Sequence, residues 1–146
     1  MFLDLREIQR KGKTEQDFFY EYQTQDILID IPSVEIQMPI KVLGKLTLAE
    51  KHSAYVSGQV QFSLVGDCTR CLKQTSINYV ANFEEFVVEN NQDGYSVVND
   101  KIDLGKIVND VILTNLPVNF LCDENCLGIC LGCGVNLNNE ACKCKN

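Results

Sequence analysis

The chain is short of positive charge, of histidine and of long apolar runs, and each shortage excludes something. Its 146 residues hold 13 lysines and arginines against 20 acids, a net charge of −7. Nucleic-acid binders normally carry a basic face that displaces counterions from phosphate. This balance is better matched to a basic protein than to bare RNA. The lone histidine, His52, stands in the polar turn Glu50–Ser53 without a convincing acidic partner in local sequence, so a histidine-based nucleophile pair is not supported and no ligand role is assigned to it. No glycine-rich loop of P-loop or Rossmann type is present. No stretch reaches the roughly 20 apolar residues of a membrane span. The opening residues MFLDLREIQRKGK place Asp4, Arg6 and Glu7 where a signal peptide needs an apolar core, so the expected location is the cytoplasm.

Cysteine is what the chain has in excess. Six of its eight cysteines, Cys122, Cys126, Cys130, Cys133, Cys142 and Cys144, crowd into a polar, Asn-rich tail, and Cys68 and Cys71 form a C-x2-C pair upstream. A two-residue gap lets both sulfurs of a knuckle face one ion, and zinc takes four such thiolates in a tetrahedron. Gly134, directly after Cys133, suits the tight turn that follows a knuckle. A disulfide framework would need an oxidising compartment, and inert buried thiols would not collect in a tail with few core-forming residues. All eight cysteines are therefore expected to be ligands of one or two zinc ions. Spacing leaves the grouping open: Cys68/Cys71 with Cys130/Cys133 in a ribbon-like site, or a self-contained tail site with the upstream pair separate. The alternative is a thiol-disulfide oxidoreductase or redox-sensing module using Cys68 and Cys71, with Arg70 between them. Such pairs are reactive at a helix N-terminus, and here strand patterns flank the pair on both sides.

Apolar residues make up 45% of the chain, enough for an ordinary core. Met1–Ile8 reads as a first strand or a docking segment, and Arg10–Gln16 as a loop broken at Gly12. Phe18–Tyr22 and Ile27–Ile31 suit strands, while Pro32 and Pro39 confine the following segment to an edge or an irregular stretch. Val60, Phe62 and Leu64 alternate with polar residues, as do Ile77, Tyr79, Ala81 and Phe83. Two half-buried strands thus flank the Cys68/Cys71 knuckle as a hairpin. Asn90–Gly94 is a loop, and Tyr95–Val98 a short strand. One helix is expected at about 103–116. Asp103 is its N-cap; Leu104, Ile107, Val108, Val111, Ile112 and Leu116 form its apolar stripe; Pro117 is its stop. Residues 84 to 110 hold seven acids against two bases, which leaves −5 of the net charge there.

These pieces resemble the YceD-like family, the large ribosomal RNA subunit accumulation proteins of bacteria. Cys68-Thr69-Arg70-Cys71-Leu72 is like the family's C-x-R-C-L. Ile102-Asp103-Leu104 with the helix and Leu116-Pro117 is like its I-D-L…L-P element. Cys122-x3-Cys126-x-Gly128-x-Cys130-x2-Cys133-Gly134-x2-Leu137-Asn138 looks like its cysteine-rich end. Leu131 departs from the proline often found after the third tail cysteine. The chain also ends at Asn146, where similar proteins usually continue into a basic-apolar segment. The resemblance implies a role in synthesis, processing or stability of large-subunit ribosomal RNA.

The expectation is thus an α+β fold: a mainly antiparallel β-sheet, curved or a partly open barrel, with one covering helix. A β-rich part, 1–121, leads into a zinc-binding cysteine tail, 122–146, within one folding unit. The expected function is non-enzymatic. The protein would act as a ribosome biogenesis factor that binds a basic large-subunit ribosomal protein or the pre-ribosomal large subunit. Contact with ribosomal RNA would be indirect, with no membrane and no small-molecule substrate involved.

Overall fold

The computed structural model describes residues 1–24, 27, 29–50 and 52–144. Among these residues the order is β1 (Phe2–Asp4), α1 (Leu5–Arg10), β2 (Glu15–Tyr22), β3 (Glu35–Ala49), β4 (Ser53–Asp67), β5 (Gln74–Glu89), β6 (Ser96–Val97), β7 (Lys101–Asp103) and α2 (Leu104–Thr114). One sheet has the strand order β2-β3-β4-β5-β6 and the other is the ribbon β1-β7. The larger sheet is open at β2 and β6, so it is no closed barrel. It is mixed, because β6 runs parallel to β5 while β2 runs antiparallel to β3. No described helix is long and apolar enough to cross a membrane.

The chain divides into two units, Met1–Ile27, Met38–Phe62 and Val80–Leu116 in the first and Leu28–Gln37, Ser63–Tyr79 and Pro117–Asn146 in the second. In the first, period-2 patterning produces the sheet's dry face. Ala81, Phe83 and Val87 of β5 are buried while Asn82, Glu84 and Phe86 are exposed. Gly44 of β3 and Gly58 of β4 approach so closely that a Cβ on either would strike the other strand's backbone, so only glycine fits at this point of contact.

Helix α2 forms as its stripe predicts, with Leu104, Ile107, Val108 and Ile112 buried. Its first turn is satisfied from two sources. The Asp103 carboxylate accepts from the Lys106 N–H at 3.2 Å. The Met1 carbonyl accepts from Leu104 and Gly105 at 3.0 and 3.3 Å. Strand β1 is held there by pairing with β7, Leu3 opposite Ile102.

Two expectations need correction. The strand reading of Met1–Ile8 holds only for 2–4. Asp4 then caps a second helix, α1, its carboxylate accepting from the Arg6 N–H at 2.9 Å, with Leu5 and Ile8 buried one turn apart. The strand over Ile27–Ile31 is not formed at residues 27, 29, 30 and 31, and Leu28 lies outside the described residues. Pro39 sits inside β3 just beyond the last β2 pair, Tyr22↔Ile40, so the proline lacking an N–H stands where, among the described residues, that side of the strand is an unpaired edge, as expected.

His52 has a partner that local sequence conceals. Its Nδ1 lies 2.7 Å from Asp100 Oδ1, 48 residues away. Asp100 also faces Arg6, at 3.9 Å, and Arg6 donates to the Asn99 carbonyl. The hydrogen bond and charge of Asp100, with a smaller contribution from Glu89, raise the His52 pKa above its ordinary value. A raised folded pKa contributes stability that is fully present below the unfolded value of about 6.5 and is lost as pH rises through the folded value. The expected result is that His52→Ala lowers the melting temperature at pH 5.5 and has little effect at pH 9. An equal loss at both pH values would contradict this assignment.

Candidate metal centres

The connection between β4 and β5 is the first knuckle. The Cys68 N–H donates to the Lys73 carbonyl at 2.9 Å, and the Leu72 N–H donates back to the Cys68 carbonyl at 2.9 Å. This curl aims the sulfurs of Cys68 and Cys71 to one side. Thr69 then recruits the tail: its N–H and its hydroxyl both donate to the Phe120 carbonyl, at 2.8 and 3.2 Å. Arg70 Nη1 donates to the Cys126 carbonyl at 2.9 Å. Those bonds bring Cys122 and Cys126 against the knuckle. Cys68 and Cys126 sulfurs are 3.7 Å apart, Cys71 and Cys122 sulfurs 3.5 Å apart, and all four lie within 4.8 Å of one another. Cys68, Cys71 and Cys126 are buried, with Leu121 and Ile129 packed against them.

The second knuckle repeats the first in its backbone. The Cys130 N–H donates to the Val135 carbonyl and the Gly134 N–H to the Cys130 carbonyl, both at 2.9 Å. Residues Ile129 and Asn136 pair beside it as β4 and β5 do beside the first. Cys130 Sγ lies 3.4 Å from Cys142 Sγ and 3.5 Å from Cys144 Sγ, and Cys133 completes a second four-sulfur group within 4.8 Å. Here Cys133, Cys142 and Cys144 are exposed.

All eight cysteines are free. A tetrahedron of thiolates about 2.3 Å from a zinc ion has edges of roughly 3.8 Å. The closest sulfur separations, 3.4 to 3.7 Å, lie near that edge and the others stay within 4.8 Å, so each donor set fits one four-coordinate ion. The ribbon-like grouping of Cys68/Cys71 with Cys130/Cys133 is not formed. The tail site is self-contained at 130–144, and the upstream pair is completed by Cys122 and Cys126.

One difference between the two knuckles lies at the residue after the second cysteine. After the second, Gly134 takes φ 75°, and after the first, Leu72 takes φ 63° with its side chain exposed. The left-handed conformation costs a non-glycine residue about 1 kcal/mol or more. Leu72→Gly should therefore leave stability unchanged or raise it by up to about 1 kcal/mol, read by urea denaturation. A loss above 1 kcal/mol would show that the side chain packs.

Thiol acidities within each group are pulled apart. Burial opposes ionisation of Cys68, but the backbone N–H groups of Cys71, Cys122 and Arg70 outweigh it and bring the thiol down to about 6. Cys122, beside the Cys71 sulfur, is pushed up to about 12. In the second group the N–H groups of Cys133 and Gly132 lower Cys130 to about 6, and the Cys130 sulfur pushes Cys144 up to about 11. In each group a readily ionised thiol thus stands beside one whose ionisation its charge disfavours. A divalent ion removes that conflict by neutralising the thiolates together.

Two shell residues were less legible. Arg70 reads as a thiol activator or an ion-pair partner, whereas it braces the Cys126 carbonyl. The Asn138 side chain accepts from the Leu127 N–H at 2.8 Å and donates from Nδ2 to Cys126 Sγ at 3.3 Å. The signal for it was Leu137-Asn138 within the resemblance, which gave it no role. Outer-shell partners of this kind typically tune metal affinity 10–100-fold. Asn138→Leu should weaken metal affinity of the buried group within that range. It should also shift the sulfur-to-metal charge-transfer band of the cobalt-substituted protein. An unchanged band would mean that the amide only closes its own turn.

The arrangement matches known sequences. The family model described as "Large ribosomal RNA subunit accumulation protein YceD" matches residues 56–146, well over half of the chain. The chain is similar to Large ribosomal RNA subunit accumulation protein YCED homolog 1, chloroplastic, of Arabidopsis thaliana. The two are 39% identical over 44 residues, 30% of this chain and 14% of that protein. The Zea mays protein of the same name is 36% identical over 52 residues, 35% of this chain and 18% of its own. An uncharacterized protein of Mycobacterium tuberculosis is 32% identical over 95 residues, 58% of this chain and 45% of its own. The chain thus spans less than half the length of these relatives. No solved structure matches. With both knuckles inside the matched stretch, the chain belongs to the YceD family of large ribosomal RNA subunit accumulation proteins.

Proposed function

We propose that the protein is a non-enzymatic, zinc-braced factor for large ribosomal subunit biogenesis. It acts in the cytoplasm by binding a basic large-subunit ribosomal protein, or a pre-ribosomal particle through such proteins. Family membership supports the ribosomal part of this reading. The observation that carries the rest is the net charge of −7. Two ions held by eight thiolates would take it to about −11, since four thiolates outweigh one divalent ion. Some acids of the 84–110 segment have local duties: Asp100 faces His52 and Arg6, Asp103 caps α2, and Asp110 accepts from the Tyr95 hydroxyl at 2.7 Å. These bonds position the acids without cancelling the excess. Phosphate would be repelled by such a chain, and a lysine- and arginine-rich partner attracted.

Zinc is the ion this reading places in both groups. Four thiolates in a tetrahedron suit zinc or an iron–sulfur cluster, and the proposed role needs no electron transfer. Each ion would lock a knuckle to its partner segment and supply folding energy directly. The runner-up, thiol-disulfide exchange at Cys68 and Cys71, requires a substrate disulfide to reach a sulfur. Both residues are buried, with Cys126 and Cys122 sulfurs against them.

The test is affinity capture from bacterial lysate with and without ribonuclease, with bound proteins identified by mass spectrometry. Basic large-subunit ribosomal proteins retained after ribonuclease are the expected result. Their loss with the RNA would mean that recognition runs through RNA and that the charge argument fails.

A further inference from the structure

The two four-cysteine groups share donor set and knuckle hydrogen bonding. A difference in reactivity between them must therefore come from their surroundings. Those surroundings are opposite. Cys68 is 0% exposed, Cys126 2% and Cys71 6%, and apolar Leu121 and Ile129 pack against them. In the second group three of the four cysteines are exposed, and Leu131 beside Cys130 is exposed as well. The scaffolds differ too. Cys68 and Cys71 lie between strands of 15 and 16 residues. Cys142 and Cys144 lie on residues 141–144, which form neither helix nor strand.

We propose that Cys130, Cys133, Cys142 and Cys144 form an oxidative modification site: a zinc–thiolate centre that a peroxide opens to two disulfides, releasing its ion, while the Cys68, Cys71, Cys122 and Cys126 centre is retained. This rests on the reading of both groups as zinc sites. Each peroxide takes two electrons from two thiolates, so that one S–S bond forms and the O–O bond breaks to give two hydroxides. Two peroxides thus convert four zinc-bound thiolates into two disulfides, one free zinc ion and four hydroxides. Cys130 Sγ already stands 3.4 and 3.5 Å from the sulfurs of Cys142 and Cys144. Closure to the bonding distance of about 2.05 Å is not resisted by a ladder in the irregular 141–144 segment. The buried centre draws none of its sulfurs from residues beyond Cys126, so opening the exposed centre removes none of its ligands.

The experiment treats full-length, zinc-loaded protein with hydrogen peroxide. It follows released zinc with 4-(2-pyridylazo)resorcinol and maps oxidised cysteines by mass spectrometry. The expected result is one equivalent of zinc released at least tenfold faster than the second. Four thiols should be lost with it, all among Cys130, Cys133, Cys142 and Cys144, and dithiothreitol with added zinc should restore them. The double variant Cys142→Ser, Cys144→Ser should bind one zinc that resists the same treatment. Release of both ions at one rate, release of neither, or disulfides mapping to Cys68 or Cys126 would overturn the proposal while leaving the zinc sites standing. Protein that binds no zinc would overturn the zinc reading and this proposal with it.

Discussion

If each four-cysteine group holds zinc as proposed, Cys126→Ser is expected to cost one zinc ion and the folded state of residues 63–79 and 117–144, and Cys142→Ser one zinc ion and only local order. Both substitutions remove one thiolate from a four-sulfur group, so the contrast lies in what each group holds. Structural zinc contributes on the order of 10 kcal/mol or more to folding, against the 5–15 kcal/mol total stability of an ordinary domain. The Cys126 group joins the β4–β5 knuckle to the segment after Phe120, and Cys68, Cys71 and Cys126 form a buried cluster against which the partly buried Cys122 packs. A serine there leaves three thiols without their ion inside apolar surroundings. The Cys142 group joins only residues 130–144, and its cysteines are largely exposed. Metal analysis with hydrogen exchange separates the two. Protection should collapse at 68–73 in Cys126→Ser and persist there in Cys142→Ser. Equal collapse in both would contradict the account.

Phe120→Ala is expected to cost about 3–5 kcal/mol, the usual range for removing a fully buried phenylalanine. Phe120 is 0% exposed and sits two residues before Cys122. Its carbonyl is also the acceptor for both Thr69 donors. The side chain therefore anchors the strand of tail that delivers Cys122. Urea denaturation should show the loss, and zinc loaded into the proposed buried site should exchange faster with a chelator. A change under 1 kcal/mol would mean that the Thr69 bonds and the metal alone hold the segment.

The legible parts of the fold are those with a sustained local period. β4 and β5 follow from the alternation at Val60–Leu64 and Ile77–Phe83, and α2 from its Asp103 cap and apolar stripe. Helix α1 is only six residues long, too short to show a period, and its start depends on Asp4 turning the chain. Strand β3 carries apolar alternation on both sides of Pro39, but that one strand runs through the proline follows only from the length of β2, whose pairing ends at Ile40. The eight candidate ligands were visible as a set, because six thiols in a polar tail and a C-x2-C pair upstream have few other uses. Their grouping was not. It depends on Thr69 reaching Phe120 and Arg70 reaching the Cys126 carbonyl, contacts that span 51 and 56 residues. The His52–Asp100 pair was hidden for the same reason, since a local search for an acidic neighbour stops well short of 48 residues.

Zinc K-edge X-ray absorption on the purified protein, paired with metal analysis, tests the central claim most directly. The account predicts two zinc ions per chain, each with four sulfurs at about 2.3 Å and no nitrogen or oxygen in the first shell. A single ion per chain, nitrogen or oxygen scatterers beside the sulfurs, or iron in place of zinc would contradict it.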